Sequence, residues 1–167
     1  TFNGAVNGAS ANNQSLTVNS TGTTLFNAVV GNSAPLLSLT TDAGGDTTLV
    51  ANATSSGNMT FGDNVSLNGT YTTTNSAFFV GGTTVLVSNL TVSTGTGNAT
   101  FNGAVNGASA GNQSLTVNST GTTLFNAAVG TGTSLLSLTT DAGGNTTLAA
   151  NATTTGNMTF NDNVSLN

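Results

Sequence analysis

The sequence predicts an all-β fold, a β-solenoid built on a 99-residue super-repeat. Three observations carry that prediction. Residues 1–68 recur at 100–167 without a gap, a short phenylalanine motif recurs inside the unit, and the composition suits strands and tight turns rather than helices.

The long repeat comes first. Thr1–Asn68 aligns on Thr100–Asn167, and the pairs that differ begin at residues 12, 29, 32–35, 46, 50, 55, 56 and 62, eleven of 68. The exchanges are mild: Val29 becomes Ala128, Asp46 becomes Asn145, Ser55 becomes Thr154. Four of them fall together at Asn32–Pro35, which reads as a loop that tolerates variation. Self-similarity at a fixed period marks architectures whose units bury a face by stacking on one another. Residues 1–167 therefore read as a single continuous repeat segment, 1–99 being the first unit and 100–167 a partial second. The expectation is a chain that continues at both ends, either covalently or by pairing its edge strands with a neighbour.

Inside the unit, Thr1–Val6 resembles Leu25–Val30 and Thr60–Val65, and the second unit repeats all three. Six of the eight Phe residues sit in this motif. Phe and Val four apart would lie on one face of a strand, because strand side chains alternate with period 2. A helix has the same spacing, but the Gly, Asn and Thr in the gap disfavour it. Alternation is clean at Leu16-Thr17-Val18, Leu37-Ser38-Leu39, Val65-Ser66-Leu67 and Leu90-Thr91-Val92. Turn clusters such as Asn19–Gly22, Asp42–Asp46 and Gly81-Gly82 separate these runs. Ten or eleven short strands per unit result. The alternative is a string of immunoglobulin-like sandwiches, but those have about seven longer strands and no internal recurrence. The motif falls at Phe2, Phe26, Phe61 and again at Phe101, an uneven spacing. Either coil length varies or the motif visits different faces, and four or five coils per unit are expected. Phe2, Val6, Leu16, Val18, Phe26, Val30, Leu37, Leu39, Phe61, Val65 and Leu67 should point inward, with their equivalents in the second unit.

Composition narrows function. The chain has no Lys, Arg, His, Cys, Trp or Glu; its charges are five aspartates, and its net charge is −5. General acid–base and nucleophilic catalysis need tuned groups that are missing here. Structural zinc needs Cys or His, and nucleic acid binding rests on Lys and Arg. The chain is thus read as no enzyme, with no cofactor, no metal and no nucleic acid partner. Thr (35), Asn (25) and Gly (22) dominate, yet 36% of residues are hydrophobic and spread along the chain. That balance favours ordered β-structure over disorder. No apolar run is long enough to span a membrane.

The stretches TFNGAV, SLTVNSTGTTLFNAVVG, LLSLTTDAGG with its following TTL, and MTFGDNVSL resemble the β-strand repeats of bacterial surface proteins of the filamentous haemagglutinin type. The resemblance is one of pattern and composition over the whole chain. It implies a right-handed parallel β-solenoid, secretion to the cell surface, and a structural role in an extracellular filament, adhesin stalk or biofilm. The partner it implies is the chain itself, joined end to end into a fibre.

Few residues stand out as sites. Asp42-Ala43-Gly44-Gly45-Asp46 has some likeness to calcium-binding turns, but calcium wants six to eight oxygens and usually several carboxylates. Its second copy ends in Asn145, so a plain turn is expected. Asp63 and Asp162 have no carboxylate nearby in sequence and read as turn residues. Asn-x-Ser/Thr sequons are frequent, and Asn19, Asn58, Asn64, Asn89, Asn118, Asn157 and Asn163 are the candidates for glycosylation. Turn positions or stacked amide ladders are the competing role for these asparagines. Threonine pairs such as Thr70/Thr72 and Thr94/Thr96 suggest a second function class, an ice-binding or carbohydrate-binding face. The pairs do not recur at one coil spacing, which weighs against it.

Overall fold

Short alternating runs make strands that are mostly three or four residues long, and each needs a corner before the next. The computed structural model describes all 167 residues, and the corners wind the chain into a β-solenoid without any helix. An eight-stranded sheet forms the first face: Ser15–Val18, Ser38–Thr41, Met59–Phe61, Phe78–Val80, Ala99–Phe101, Thr122–Phe125, Asn145–Leu148 and Asn163–Leu166. A nine-stranded sheet supplies the remaining wall. It folds into two faces because its longest strands, Asn64–Thr72 and Thr84–Gly95, each turn a corner. Their pairing slips between Leu67 and Gly69, where Gly69 takes φ +92°. Val105–Gly107 pairs with the leading half of Thr84–Gly95, and Ser114–Ser119 with its trailing half. Counting the two bent strands twice, the nine strands from Ser15 to Gly95 become eleven straight segments. Every strand pair is parallel, which excludes the antiparallel sandwich alternative.

Register defines the interior. On the first face one inward column runs Leu16, Leu39, Met59, Phe78, Ala99, Thr123, Thr146, Val164. The step from Ala99 to Thr123 takes more chain than the step from Thr146 to Val164, so coil length varies. Eight rungs enclose about seven turns. The third face carries the column Val6, Val30, Ala53, Tyr71, Val92, Val117, Thr140, Phe160.

The super-repeat is out of phase with the coil. Leu16 lies on the first face, but its copy Leu115 pairs with Leu90 and Leu138 on the third. Thr24 lies on the second face, stacked on Thr47, while its copy Thr123 stacks between Ala99 and Thr146 on the first. Val30 lies on the third, and its copy Val129 bridges Val105 and Ala152 on the second. Four turns carry Leu16 to the level of Ala99, and the stretch from there to Leu115 covers two further faces. One unit is therefore about four and two-thirds turns, and every segment reappears one face away.

This geometry corrects the reading of the Phe motif. Phe26 ends a strand of the second face, and Val30 belongs to the third. Phe61 and Val65 likewise sit on the first and second faces. The four-residue spacing spans a corner, so both side chains point inward from adjacent walls.

Phe26, Phe61, Phe78, Phe101, Phe125 and Tyr71 are fully buried. Phe2 stacks on Phe26 at 4.6 Å, and the copies Phe101 and Phe125 stack at 5.2 Å on another face. Of the residues expected inside, Leu37 is the exception: it is 45% exposed, as its copy Leu136 is 42%. Leu36 takes the inward place because the chain turns before the strand starts at Ser38. Leu36 bridges to Ser55, and the Leu37 amide donates to the Gln14 carbonyl. Phe2, Val6, Leu16 and Val18 in the first coil are half-buried, and Val164 and Leu166 in the last are exposed, since no further coil covers them here.

Candidate functional site on the corners and outer faces

The interior is committed to packing, so chemistry is left to the corners and the outward side chains. At the corners the backbone ladder breaks and leaves amides without carbonyl partners, which must be satisfied by something else. Asparagine does this. The amide of Ala77 donates to Asn58 Oδ1 (3.1 Å), Thr83 to Asn64 Oδ1 (2.9 Å), Thr96 to Asn75 Oδ1 (3.1 Å) and Ser114 to Asn89 Oδ1 (3.0 Å), each one coil further on. The variable loop at Asn32–Pro35 is held the same way. Asn7 Oδ1 accepts from Ser33 and Ala34, and Asn106 Oδ1 accepts from Gly132 and Thr133. Main-chain amides make these bonds, so the loop side chains are free to differ between copies.

Outward asparagines also stack: Asn27 Nδ2 donates to Asn3 Oδ1 at 2.8 Å, and Asn126 Nδ2 to Asn102 Oδ1 at 2.7 Å. All seven glycosylation candidates are exposed. Asn58, Asn64 and Asn89 are corner acceptors as above, and Asn118 Nδ2 donates weakly to Ser93 Oγ at 3.4 Å. Asn19, Asn157 and Asn163 make no side-chain hydrogen bond within the chain and are the least encumbered.

Four of the five aspartates separate into two kinds. Asp42 Oδ1 accepts the Ser20 amide and Asp141 Oδ1 the Ser119 amide, both at 3.0 Å, so the Asp-Ala-Gly-Gly segments are corner turns. No three acidic or metal-ligating side chains come together anywhere. Asp63 is buried at 4% exposure and accepts from the hydroxyls of Thr41 (3.1 Å) and Thr47 (2.7 Å). Asp162 repeats this with Thr140 and Thr146 at 3.1 and 2.8 Å. A carboxylate so placed ties the corner of one coil to the strands flanking the corner of the coil before it. Tyr71 is also interior, and burial pushes its phenol far above the ordinary range, although hydrogen bonding to the Asn68 backbone works slightly against that.

The chain matches no protein-family model, no curated protein and no solved structure.

Two outward features escaped the sequence. On the third face Thr70, Thr91, Thr116, Thr139 and Thr159 form an unbroken ladder on five consecutive coils. Of these only Thr70 belongs to an anticipated Thr pair, and Thr94 of another pair points inward, donating to the Gly97 carbonyl at 2.6 Å. The steps of the ladder are unequal, longest from Thr91 to Thr116 and shortest from Thr139 to Thr159, so no fixed period reveals it. The second is a shallow groove of about 350 Å³ on the second face, where Asp46 and Asn64 lie among threonine and serine hydroxyls.

Proposed function

We propose that the chain is a structural repeat segment of an extracellular fibre or adhesin stalk, a rod that spaces and displays rather than catalyses. The observation that carries this reading is the seam between units. Ala99–Phe101 pairs with Phe78–Val80 of the first unit and with Thr122–Phe125 of the second, and Phe101 is fully buried there. The junction keeps parallel backbone pairing on both sides and stacks Phe101 on Phe125, so copies concatenate without a hinge. Outward positions are mostly Thr, Ser and Asn, which keep such a rod hydrated at almost no charge. The resemblance of its sequence pattern to filamentous haemagglutinin-type repeats is what suggests a surface location, and end-to-end pairing of strand edges would supply self-association.

Small-angle scattering on proteins lengthened by whole 99-residue units tests the rod. With parallel strands about 4.8 Å apart, each unit should add about 22 Å of length at constant cross-section. Beads on flexible joints, or compact particles, would defeat the proposal. Antibody labelling of intact source cells tests the location.

A second reading is favoured by the threonine ladder alone: an ice-ordering face, whose stacked hydroxyls and methyls template water. Its test is ice-crystal shaping by the intact chain, lost in Thr116→Lys.

A further inference from the structure

The groove on the second face is built from two outward columns. One column reads Leu25, Thr48, Ser66, Val85 on four successive coils, so two short hydroxyl side chains lie between two bulkier apolar ones. The neighbouring column reads Thr23, Asp46, Asn64, and Thr83 follows on the next coil. Of these, all but Leu25 line the groove.

Its polar groups are held in place. Asn64 Nδ2 donates to Asp46 Oδ1 at 3.1 Å, and Asn64 Oδ1 accepts from both the amide and the hydroxyl of Thr83, at 2.9 and 3.0 Å. Asp46 Oδ2 has no partner within the chain, and the hydroxyls of Thr23, Thr48 and Ser66 are likewise uncommitted. The groove therefore offers one charged acceptor fixed by an amide, several hydroxyls that donate or accept, and an apolar edge at Val85.

That set selects by chemistry. An anion meets only negative charge and no cationic donor. A hard cation finds a single carboxylate where several are wanted. A neutral polyol matches: its hydroxyls donate to the carboxylate, exchange hydrogen bonds with Thr and Ser, and its C–H face lies on Val85. The volume is at the small end of ligand sites, which run from about 300 Å³ upward, and it suits one or two sugar rings. We propose that this groove is a weak binding site for a neutral saccharide. The site is independent of whether the rod forms a fibre.

The second unit contains an internal control. Thr122, Asn145, Thr147, Asn163 and Ser165 are the copies on the first face, but Asn145 replaces Asp46, and residues 100–167 hold no copies of Thr83 and Val85. Amide-resolved NMR titration of the whole chain decides the matter, using neutral glucose-, galactose- and mannose-based trisaccharides with spermidine as the cationic comparison. At least one sugar should shift the amides of Asp46, Thr48, Asn64, Ser66 and Thr83 while sparing the copy residues. Asp46→Ala should weaken that sugar about tenfold, the loss expected for one hydrogen bond to a charged group, and Asp46→Asn should weaken it less. The same spectra report that both variants remain folded. No shift from any sugar, equal shifts at the copy residues, indifference to Asp46→Ala, or binding of spermidine alone would each overturn the proposal.

Discussion

Phe26 and Phe125 are the same residue of the repeat on different walls, and both are fully buried. Each has a stacked aromatic partner, Phe2 and Phe101 respectively. Truncating either to alanine removes a ring and leaves a cavity, so each should lose about 3–5 kcal/mol in urea unfolding. Phe2→Ala should cost less, because Phe2 is only half-buried. A loss below about 1 kcal/mol for Phe26→Ala would mean that the ring is not in the core. Tyr71 makes a pH prediction. Its phenol is held neutral in the fold, whereas in the unfolded chain it ionises near its ordinary value of about 10. The unfolded state therefore binds fewer protons above that pH, and the direction follows: stability is complete below about pH 10 and falls as pH rises. The slope should be about 1.4 kcal/mol per pH unit for this one group, and Tyr71→Phe should abolish it. Denaturant midpoints measured from neutral pH into the alkaline range check both. At neutral pH the absence of His and Lys leaves no side chain to titrate, and midpoints there should be flat.

Within each coil, the corner matters more than the strand. Gly45 sits in the corner Asp42–Asp46 with φ +78°, and a Cβ there would lie 2.2 Å from the Gly22 carbonyl oxygen of the coil below. Its copy Gly144 has the same φ and an even closer contact with Gly121. Gly45→Ala should therefore destabilise by about 1–3 kcal/mol through strain and coil separation. Gly4, in the first coil, would gain a methyl with nothing within 4 Å of it, so Gly4→Ala in this 167-residue chain should stay within about 0.5 kcal/mol. At its copy Gly103 a Cβ would lie 2.3 Å from the Gly82 carbonyl oxygen, so Gly103→Ala should cost as much as Gly45→Ala. Thermal melts of Gly4→Ala and Gly103→Ala side by side test whether the coil beneath, rather than the corner sequence, makes glycine necessary. Strand identity was legible in the alternating runs, and Leu16, Leu39, Val65 and Leu67 point inward as their alternation requires. Leu37 was not legible, because alternation says nothing about where a corner interrupts it.

Along the whole rod, a unit of about four and two-thirds turns acts as a screw. Any surface feature of one unit, the Asn3–Asn27 stack for example, returns on the adjacent face in the next as Asn102–Asn126. With coils about 4.8 Å apart, equivalent features should step by about 22 Å and a third of a turn, returning to the same face after about 67 Å. Helical reconstruction of cryo-electron micrographs of a rod of several units would show this screw. A feature that returned to the same face in every unit would contradict it. The consequence for display is that a partner approaching from one side meets every third unit.

The all-β class, the stacked coils and most of the interior follow from the sequence alone. Strand alternation, Gly and Asn turn chemistry and the lack of charge are local properties, and each is written within a few residues. Which face each segment occupies is settled only when the chain has closed its coils. Corners of unequal length accumulate along the chain, and the register that results cannot be read from any one of them. That is why the threonine ladder, the Asp63 bonds to Thr41 and Thr47, and the Asp46 groove emerged only in three dimensions. Each joins residues on successive coils, and their separation in sequence is set by how much chain one particular coil needs to close.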